Sequence, residues 1–493
     1  MKQWLARLFG ANPVGVLFVG VFLVGAAAFG VEYAMLVPPG QAADEQAHIF
    51  RAYSIGRGQF IGHPLQTRFP DGMEAPATSV RIDPMLGAIM LSVGPAAPKA
   101  IKLPDLSLST LADWSYTRVP ASISVTGASF PLLYLPAATV VTLSQPLALL
   151  PMQAVQIGRL AELGAFLLLG SAALLLAERG RAVFLSVLLL PATLALAGSV
   201  NPDGLLIATA VLAAALLTRA DARLDAGGGP QSRGWHAAAA TLGILVLVRP
   251  ACLPLLSLLM WPLPAPGHWR AMRAAFTRRC GTAAVYLLPA LAWCAYVACF
   301  VLTGDHRAAY PAGPWWRAPG QIFHTTDAIA QIEILLAAPW RLIALMVDAI
   351  HPTAAQMIGR LGLLDVQLFP WLYTAWSAAA VLALLSECVG RRGTGRPARI
   401  ADIVLIATAA TLALAGIVLW QYLSWTPVGA VRAEGVEPRY FLPLLPFAVL
   451  AMPRIGLPGG GYARLVGLAA PGLAAVAVAV AMPFRLLYIY YLR

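Results

Sequence analysis

Side chains suited to acid–base and anion chemistry gather just after the first apolar segment of this sequence. They are Asp44, Glu45, His48 and Arg51, and they follow the turn Pro38-Pro39-Gly40. Proline and glycine end helices, so a new helix is predicted to begin near Asp44. In that helix Asp44, His48 and Arg51 would stand at i, i+4 and i+7 on one face, with Glu45 beside His48.

This set of groups points to group transfer. A carboxylate such as Asp44 can accept the proton of an attacking hydroxyl, and cationic side chains can hold an anionic leaving group. A second interpretation stays open at this point. The same residues could form the solvated, charged face of a helix that lies on the membrane surface.

Further charged candidates lie far away in the sequence. Arg249 interrupts an apolar stretch, where a charge is costly and tends to be functional. Arg439 and Tyr440 stand at the mouth of a late helix, and Asp203 at the turn before another. Arginine suits phosphate because its planar guanidinium donates two hydrogen bonds. The alternatives are a buried Arg249–Asp203 pair, an interfacial anchor at Arg439, and an N-cap at Asp203.

Arg159 and Glu162 are spaced i and i+3, which favours an ion pair within one helix. The aromatic pair Trp315-Trp316 favours an interfacial anchor over a platform for sugar stacking. His306, His324 and His351 have no metal-ligand spacing and are predicted to be loop residues. None of these residues enters the predicted site.

The elements that must position these residues are membrane helices. Of the 493 residues, 59% are hydrophobic and only 11% are charged. A soluble domain would carry about 25% charged residues. A span needs roughly 20 apolar residues.

The sequence therefore predicts an all-α polytopic protein, a single transmembrane domain over 1–493, with about 11 spans. These are 14–37, 156–178, 182–199, 202–218, 236–249, 251–263, 283–303, 368–387, 401–421, 440–453 and 465–484. The stretch 236–263 could instead be one kinked helix or a tight hairpin broken at Arg249-Pro250.

Positive charges in the short loops give the orientation. Arginines cluster at every second connection, and the rule that such loops stay cytoplasmic predicts a cytoplasmic N-terminus. It also explains the net charge of +12 without a nucleic-acid partner. Two long segments, 38–155 and 304–367, then lie on the outer side, and loops of this length are usually functional. Their semi-apolar stretches, 130–151 and 328–350, are predicted to be interfacial helices.

Five motifs resemble a known bacterial family. They are Asp44-Glu45-x-x-His48-x-x-Arg51-Ala52-Tyr53, Pro131-Leu132-Leu133-Tyr134-Leu135-Pro136, Ser199-Val200-Asn201-Pro202-Asp203-Gly204, Gly362-Leu363-Leu364-Asp365 and Arg439-Tyr440-Phe441-Leu442-Pro443. The chain resembles the membrane-protein family called domain of unknown function 2142. It departs from that family's pattern at Ala43, Gln46, Arg249 and Glu437-Pro438. The family's plan in turn looks like the glycosyltransferase C superfamily.

The resemblance implies a function. It implies transfer of a sugar from a polyprenyl-phosphate carrier to a glycan, lipid or protein acceptor, with inversion at the anomeric carbon. Asp44 would be the general base, and Glu45 would orient the acceptor or bind a metal. His48, Arg51, Asp203, Arg249, Arg439 and Tyr440 would bind the substrate and its phosphate. No cofactor is required by the residues themselves, and a divalent metal at Asp44 and Glu45 is left open.

The expected location is the bacterial inner membrane, as a multi-pass protein with a periplasmic active site and the lipid bilayer as a partner. Two alternatives are a transporter or flippase for lipid-linked glycans, and a polymerase of cell-envelope polysaccharide. A transporter would carry ionisable residues at mid-membrane depth, and Arg249 is the main candidate. The five cysteines have no paired spacing and predict neither a disulfide nor a zinc site.

Overall fold

Long apolar helices dominate the architecture, as the composition predicts. The computed structural model describes residues 12–68, 74–93, 112–123, 126–127, 129–225, 233–262, 269–297, 299, 328–350, 353–390, 400–453, 455–456 and 460–492. Outside these residues lie the stretch 304–327, with His306, Trp315-Trp316 and His324, and also His351.

The elements of the first half of the chain follow in this order: α1 (Pro13–Leu36), α2 (Glu45–Gly56), β1 (His63–Arg68), β2 (Glu74–Ile82), α3 (Pro84–Val93), β3 (Val119–Ser122), a 3-10 helix (Pro131–Tyr134), α4 (Leu135–Ser144), α5 (Pro151–Leu176), α6 (Arg181–Leu189), α7 (Pro191–Ala197), α8 (Pro202–Asp225) and α9 (Arg233–Val248).

The second half continues with a 3-10 helix (Pro250–Met260), α10 (Trp269–Tyr296), α11 (Ala328–Ala337), α12 (Trp340–Ile350), α13 (Thr353–Gly359), β4 (Arg360–Leu361), β5 (Val366–Gln367), α14 (Pro370–Cys388), β6 (Val389–Gly390), α15 (Ile400–Ser424), a 3-10 helix (Pro438–Phe447), α16 (Ala448–Ala451), β7 (Ile455–Gly456), α17 (Gly460–Leu487) and a π-helical turn (Tyr488–Leu492).

Six of the described helices are long and apolar enough to cross a membrane. They are α1, α5, α14, α15, the first part of α8 (Pro202–Asp221), and α17 with the turn that follows it. The pair α11 and α12 is bent by 109° and would be a seventh span if it crosses as one unit. The chain is thus an all-α polytopic membrane protein, while the count of about 11 spans stays a prediction.

Several predicted spans are broken or irregular, and proline explains this. The stretch 182–199 is divided into α6 and α7 at Pro191. The stretches 251–263 and 440–453 lie largely in 3-10 helices, which contain Pro254 in one case and Pro443 and Pro446 in the other. Proline has no amide hydrogen and clashes with the preceding turn, so it disfavours a regular α-helix. It does not always end one, since α10 continues through Pro289 and α17 through Pro471 and Pro483.

The stretch 236–263 is a tight hairpin. Helix α9 ends at Val248, and the backbone of the next residue, Arg249, is extended (φ −135°). The indole of Trp235, near the start of α9, donates a hydrogen bond of 3.2 Å to the carbonyl of Leu259, near the end of the following 3-10 helix. The two helices therefore lie side by side, and Arg249 stands at their turn.

Contacts between helix ends define two ends of the bundle. At one end, the carboxylate of Glu387 accepts hydrogen bonds from Gly180 N and Ala182 N, both at 2.8 Å. At the other end, Gly362 N donates to the hydroxyl of Tyr33 at 3.1 Å. Arg179 and Arg181 lie at the first end, and the residues of the predicted site lie at the second. Which end faces the cytoplasm stays a prediction from the charge rule.

The long segment 38–155 has a hydrophobic core of its own. Helices α2, α3 and α4 pack with the antiparallel sheet β1–β2–β3, a sheet that the sequence analysis did not predict. In β2, Thr78, Ser79, Val80 and Ile82 are buried and Arg81 is exposed, so most of the described part of this strand is covered. This packing makes the segment a platform beside the bundle.

Helix α8 lies at the centre of the bundle and presents Asp203 at its first turn. It packs against α5, α9 and the 3-10 helix Pro438–Phe447. Just before it, the chain approaches α1 so closely that a Cβ at Gly198 would lie 2.7 Å from the carbonyl oxygen of Gly30. Only glycine fits this crossing. The start of α8 is therefore held against the end of α1, where the predicted base stands.

Candidate functional site

Asp44 stands between α1 and α2 in an unusual conformation. It precedes α2 with φ 57° and ψ 5°, in the left-handed region. Aspartate adopts this region more readily than most residues, and such positions often mark functional sites. Its side chain is 53% exposed, and its Oδ2 accepts a short hydrogen bond from Arg439 Nη2. Within the described residues, Oδ1 makes no hydrogen bond, so it can accept a proton.

Arg439 joins three carboxylates. Its guanidinium bonds Asp44, its Nε lies 2.8 Å from Glu437 Oε2, and the same Nε lies 3.5 Å from Asp203 Oδ2. The side chain is only 6% exposed. Residue 439 thus connects the loop after α1, the first turn of α8 and the chain before the 3-10 helix Pro438–Phe447.

Arg249 adds a second guanidinium from the hairpin turn. Its Nη2 donates to Asp203 Oδ1 at 2.6 Å, which confirms the predicted buried pair. The cap of α8 is Asn201, whose Oδ1 accepts from Asp203 N at 2.9 Å, so Asp203 itself is not the N-cap. The ring of Tyr440 lies under both guanidinium groups, 4.9 Å from Arg249 Cζ and 5.3 Å from Arg439 Cζ.

Within the described residues, Nη1 of Arg249 and Nη1 of Arg439 are buried and make no hydrogen bond. Buried polar groups are normally paired, so these donors can receive an anionic ligand. Arg249 stands at the turn of the hairpin, next to the first turn of α8.

The charges of this cluster do not cancel. Ionised Asp44, Asp203 and Glu437 carry three negative charges, and Arg249 and Arg439 carry two positive charges, which leaves one negative charge. The pKa of Glu437 is raised to about 7, mainly by burial and also by the neighbouring carboxylates Asp44 and Asp203, while Arg439 and Arg249 act to lower it. Protonation of Glu437 makes the cluster neutral.

Glu45 is not open to substrate. Its side chain is fully buried, and Oε1 accepts from Arg159 Nε at 2.7 Å and from Val200 N at 2.9 Å. Its Oε2 accepts from Arg159 Nη2 at 2.5 Å and from Gly40 N at 2.8 Å. Four donors occupy the lone pairs of one carboxylate. Glu45 therefore fixes the geometry of the loop beside Asp44, and the expected role in orienting the acceptor does not fit this placement.

The predicted ion pair between Arg159 and Glu162 is wrong. Arg159 binds Glu45 instead, and it also donates to three backbone carbonyls at the end of α1, those of Ala34, Val37 and Pro38. Glu162 Oε1 accepts from Ala137 N at 3.2 Å. The guanidinium has five donors, and the uncapped end of α1 offers more acceptors than a neighbour on the same helix.

Arg51 does not join Asp44, although the helical spacing predicts one shared face. Its guanidinium is fully buried and donates to the carbonyls of Phe60 at 2.7 Å and Ser129 at 2.9 Å. The side chain of Arg51 therefore hydrogen-bonds backbone carbonyls inside the segment 38–155. Arg51 thus connects two loops and does not belong to the cluster around Asp44, so the predicted role as a phosphate ligand does not fit its placement.

His48 lies under the site. Its Nδ1 is 2.8 Å from the hydroxyl of Tyr134, a residue of the second motif. Burial lowers the pKa of His48, while Asp44 and Asp203 raise it to a smaller extent. The imidazole is therefore neutral near pH 7. It supports the cluster from the side of α2, in agreement with its predicted position beside Asp44.

A small, partly open cavity lies beside the cluster. One wall is apolar and comes from Ala42, Ala43, Ala192, Ala195 and Leu196. The polar lining consists of Tyr33, Ser199, Gln356, Arg360, Glu437 and Arg439.

The donor set does not fit a divalent metal at Asp44 and Glu45. All lone pairs of Glu45 are occupied by protein donors, and Asp44 is bound by a guanidinium. Within the described residues, no group of three or more histidine, cysteine, aspartate or glutamate side chains is arranged to hold a metal ion. Within the described residues, no two cysteines form a disulfide.

Sequence reasoning missed three contributors to the site. Glu437 enters the sequence analysis only as a departure from a family pattern, and a spacing of two residues from Arg439 does not by itself indicate an ion pair. Arg159 was assigned to the wrong partner. Arg360, in the short hairpin β4–β5, lines the cavity although no motif contains it. The hairpin reaches the cavity because Gly362, with φ 65°, hydrogen-bonds Tyr33.

Comparison with known proteins gives one match. A family model described as "Predicted membrane protein (DUF2142)" matches residues 28–448, which contain all of the predicted site residues. No curated protein and no solved structure matches the chain.

Proposed function

The chain belongs to the DUF2142 family of predicted membrane proteins, and we propose that it is a membrane glycosyltransferase. It would move a sugar from a polyprenyl-phosphate carrier to a glycan, lipid or protein acceptor of the cell envelope. The proposal places the reaction on the periplasmic face of the bacterial inner membrane. The observation that carries it is the half-exposed carboxylate of Asp44, bound by Arg439, which also lines the neighbouring cavity. Within the described residues, Arg439 and Arg249 each keep one buried donor that makes no hydrogen bond.

In the proposed reaction, the acceptor hydroxyl gives its proton to Asp44 Oδ1. The hydroxyl oxygen forms a bond to the anomeric carbon of the donor sugar, and the bond from that carbon to the phosphate oxygen breaks. The electron pair of the broken bond stays on the phosphate, which leaves as a polyprenyl phosphate. A sugar hydroxyl is a poor nucleophile until a base accepts its proton, so the position of this carboxylate matters.

The two arginines would stabilise the leaving phosphate. Arg439 and Arg249 each keep one buried Nη1 group that makes no hydrogen bond within the described residues. Donors that are already oriented cost no reorganisation when negative charge develops on the phosphate. Asp203 holds both guanidinium groups in place, at 2.6 Å from Arg249 and 3.5 Å from Arg439. Tyr440 packs under both of them.

The test is transfer by the purified protein in lipid nanodiscs. A panel of polyprenyl-phosphate sugars would be combined with glycan and lipid acceptors, and product formation would be followed by mass spectrometry. We expect the Asp44→Asn variant to transfer about 10²–10⁴ times more slowly than the wild type, because it cannot accept the proton. Near-normal transfer by this variant would refute the assignment of the base.

The matched control is Asp348→Asn. Asp348 pairs with Arg432 at 3.3 Å, and neither residue belongs to the cluster. We expect this variant to transfer at the wild-type rate. In sealed proteoliposomes, movement of a labelled lipid-linked sugar across the bilayer, with no transfer from any donor of the panel, would replace the enzyme proposal with the flippase alternative.

A further inference from the structure

We propose that Glu437 takes up one proton when the phosphate-bearing donor binds, which makes it a proton-linked member of the donor site. This inference rests on the proposed function, because it requires an anionic donor. It goes beyond that function, since neither the general base nor the phosphate ligands depend on Glu437. The proton comes from solvent at donor binding and returns to solvent when the products leave.

The position of Glu437 supports this role. Its side chain lines the cavity, is 22% exposed, and has Oε2 2.8 Å from Arg439 Nε. It therefore touches both the cavity and the guanidinium that would hold the phosphate. The charged and titratable groups that act on it from other elements are Asp44 before α2, Asp203 on α8 and Arg249 at the hairpin turn. Tyr440 lies close on the chain that follows it, and Tyr33 of α1 and Arg360 of β4 line the same cavity.

The charge of the cluster makes proton uptake necessary. With all three carboxylates ionised, the cluster carries one net negative charge, and an anionic donor would meet repulsion. Like charges at close range disfavour ionisation. A donor phosphodiester adds one more negative charge beside Glu437, and this charge raises the pKa of its carboxyl above the value of about 7 in the free protein. After proton uptake, the two guanidinium groups face one additional anion, the donor phosphate, and one ionised carboxylate fewer, because Glu437 is neutral.

Glu437 is the group that responds, for two reasons. Asp203 accepts from Arg249 at 2.6 Å, and this pairing favours its charged form. Glu437 is the member whose buried Oε2 makes no well-directed hydrogen bond within the described residues. During transfer the leaving phosphate changes from a diester with one negative charge to a monoester with up to two. A protonated Glu437 beside it offsets that second charge.

The experiment measures binding of an isoprenyl methyl phosphodiester to the full chain in nanodiscs between pH 5.5 and pH 9. This probe keeps one negative charge over the whole range, so the probe itself contributes no titration. We expect Kd to be nearly constant below pH 6 and to rise with pH above 7, approaching about tenfold per pH unit for one linked proton. Titrations in buffers of different ionisation enthalpy would show uptake of a proton near pH 8.

The Glu437→Gln variant should bind with a Kd that does not change with pH over the same range. Glu437→Asp keeps a titrating carboxyl and should restore the dependence, and His48→Gln should retain it. A pH-independent Kd in the wild type would overturn the inference while leaving the proposed function standing, and so would an unchanged slope in Glu437→Gln or a lost slope in His48→Gln. Failure of the wild type to bind the probe at any pH would overturn the donor proposal and this inference together.

Discussion

The buried pair Arg159–Glu45 offers the sharpest test of how the site is built. Both side chains are fully buried, and they are joined by hydrogen bonds of 2.5 Å and 2.7 Å. Arg159 also ties the end of α1 through the carbonyls of Ala34, Val37 and Pro38. The perturbation is Arg159→Met, which keeps a long apolar side chain and removes every donor.

The structure sets the size of the effect. Without Arg159, the carboxylate of Glu45 keeps only the backbone donors Gly40 N and Val200 N, and it stays buried. Breaking a buried pair by removing one partner costs about 3–5 kcal/mol, because a charge is left without compensation. We therefore expect Arg159→Met to lower the free energy of unfolding by about 3–5 kcal/mol.

The assay is equilibrium unfolding in mixed micelles, followed for the wild type, Arg159→Met, Glu45→Gln and the double variant. Since Glu45→Gln removes the orphaned charge, the double variant should lose less than the sum of the two single losses, by more than about 1 kcal/mol. The matched control is Arg432→Met, in an exposed pair with Asp348, which should cost no more than about 1 kcal/mol.

Additive losses in that cycle would contradict the reasoning, because they would mean that Arg159 and Glu45 do not act as a unit. So would wild-type stability of Arg159→Met. Either result would remove the argument that Glu45 is a positioning residue, and it would reopen a direct role for Glu45 in the reaction.

Three further predictions concern other parts of the molecule. Gly362→Ala should cost about 1–3 kcal/mol in the same unfolding assay, because φ is +65° and the new Cβ would lie 2.5 Å from Tyr490 Oη. Gly429→Ala, with φ +77° and no atom nearer than 3.8 Å, should cost less. Arg249→Lys should weaken binding of the phosphodiester probe about tenfold, since an ammonium cannot hold Asp203 and phosphate in one planar fork; equal affinity would exclude Arg249 as a ligand. Finally, the folded protein holds the Glu437 proton up to a pKa of about 7, against a usual value of 4.5. More protons are bound in the folded state between these values, so stability should fall as pH rises from 4.5 to 7. In Glu437→Gln this contribution should be absent from the unfolding curves.

The sequence alone determined the class of protein and much of its plan. Apolar runs of membrane-spanning length are local features, so α1, α5, α8, α14, α15 and α17 could be predicted from hydropathy. The start of α2 followed from the turn Pro38-Pro39-Gly40 in the same way. The family resemblance pointed to Asp44, Asp203 and Arg439 as members of one site, and the structure brings their side chains together.

The tertiary structure decided which charges meet. Arg159 lies 114 residues from Glu45, and Arg439 lies 395 residues from Asp44. Helical spacing instead favoured Glu162 for Arg159 and the Asp44 face for Arg51. A long guanidinium side chain binds whichever acceptors the packed fold leaves uncapped, and in a buried region those are often backbone carbonyls. That choice depends on the crossing of α1, α5 and α8, which no short stretch of sequence encodes.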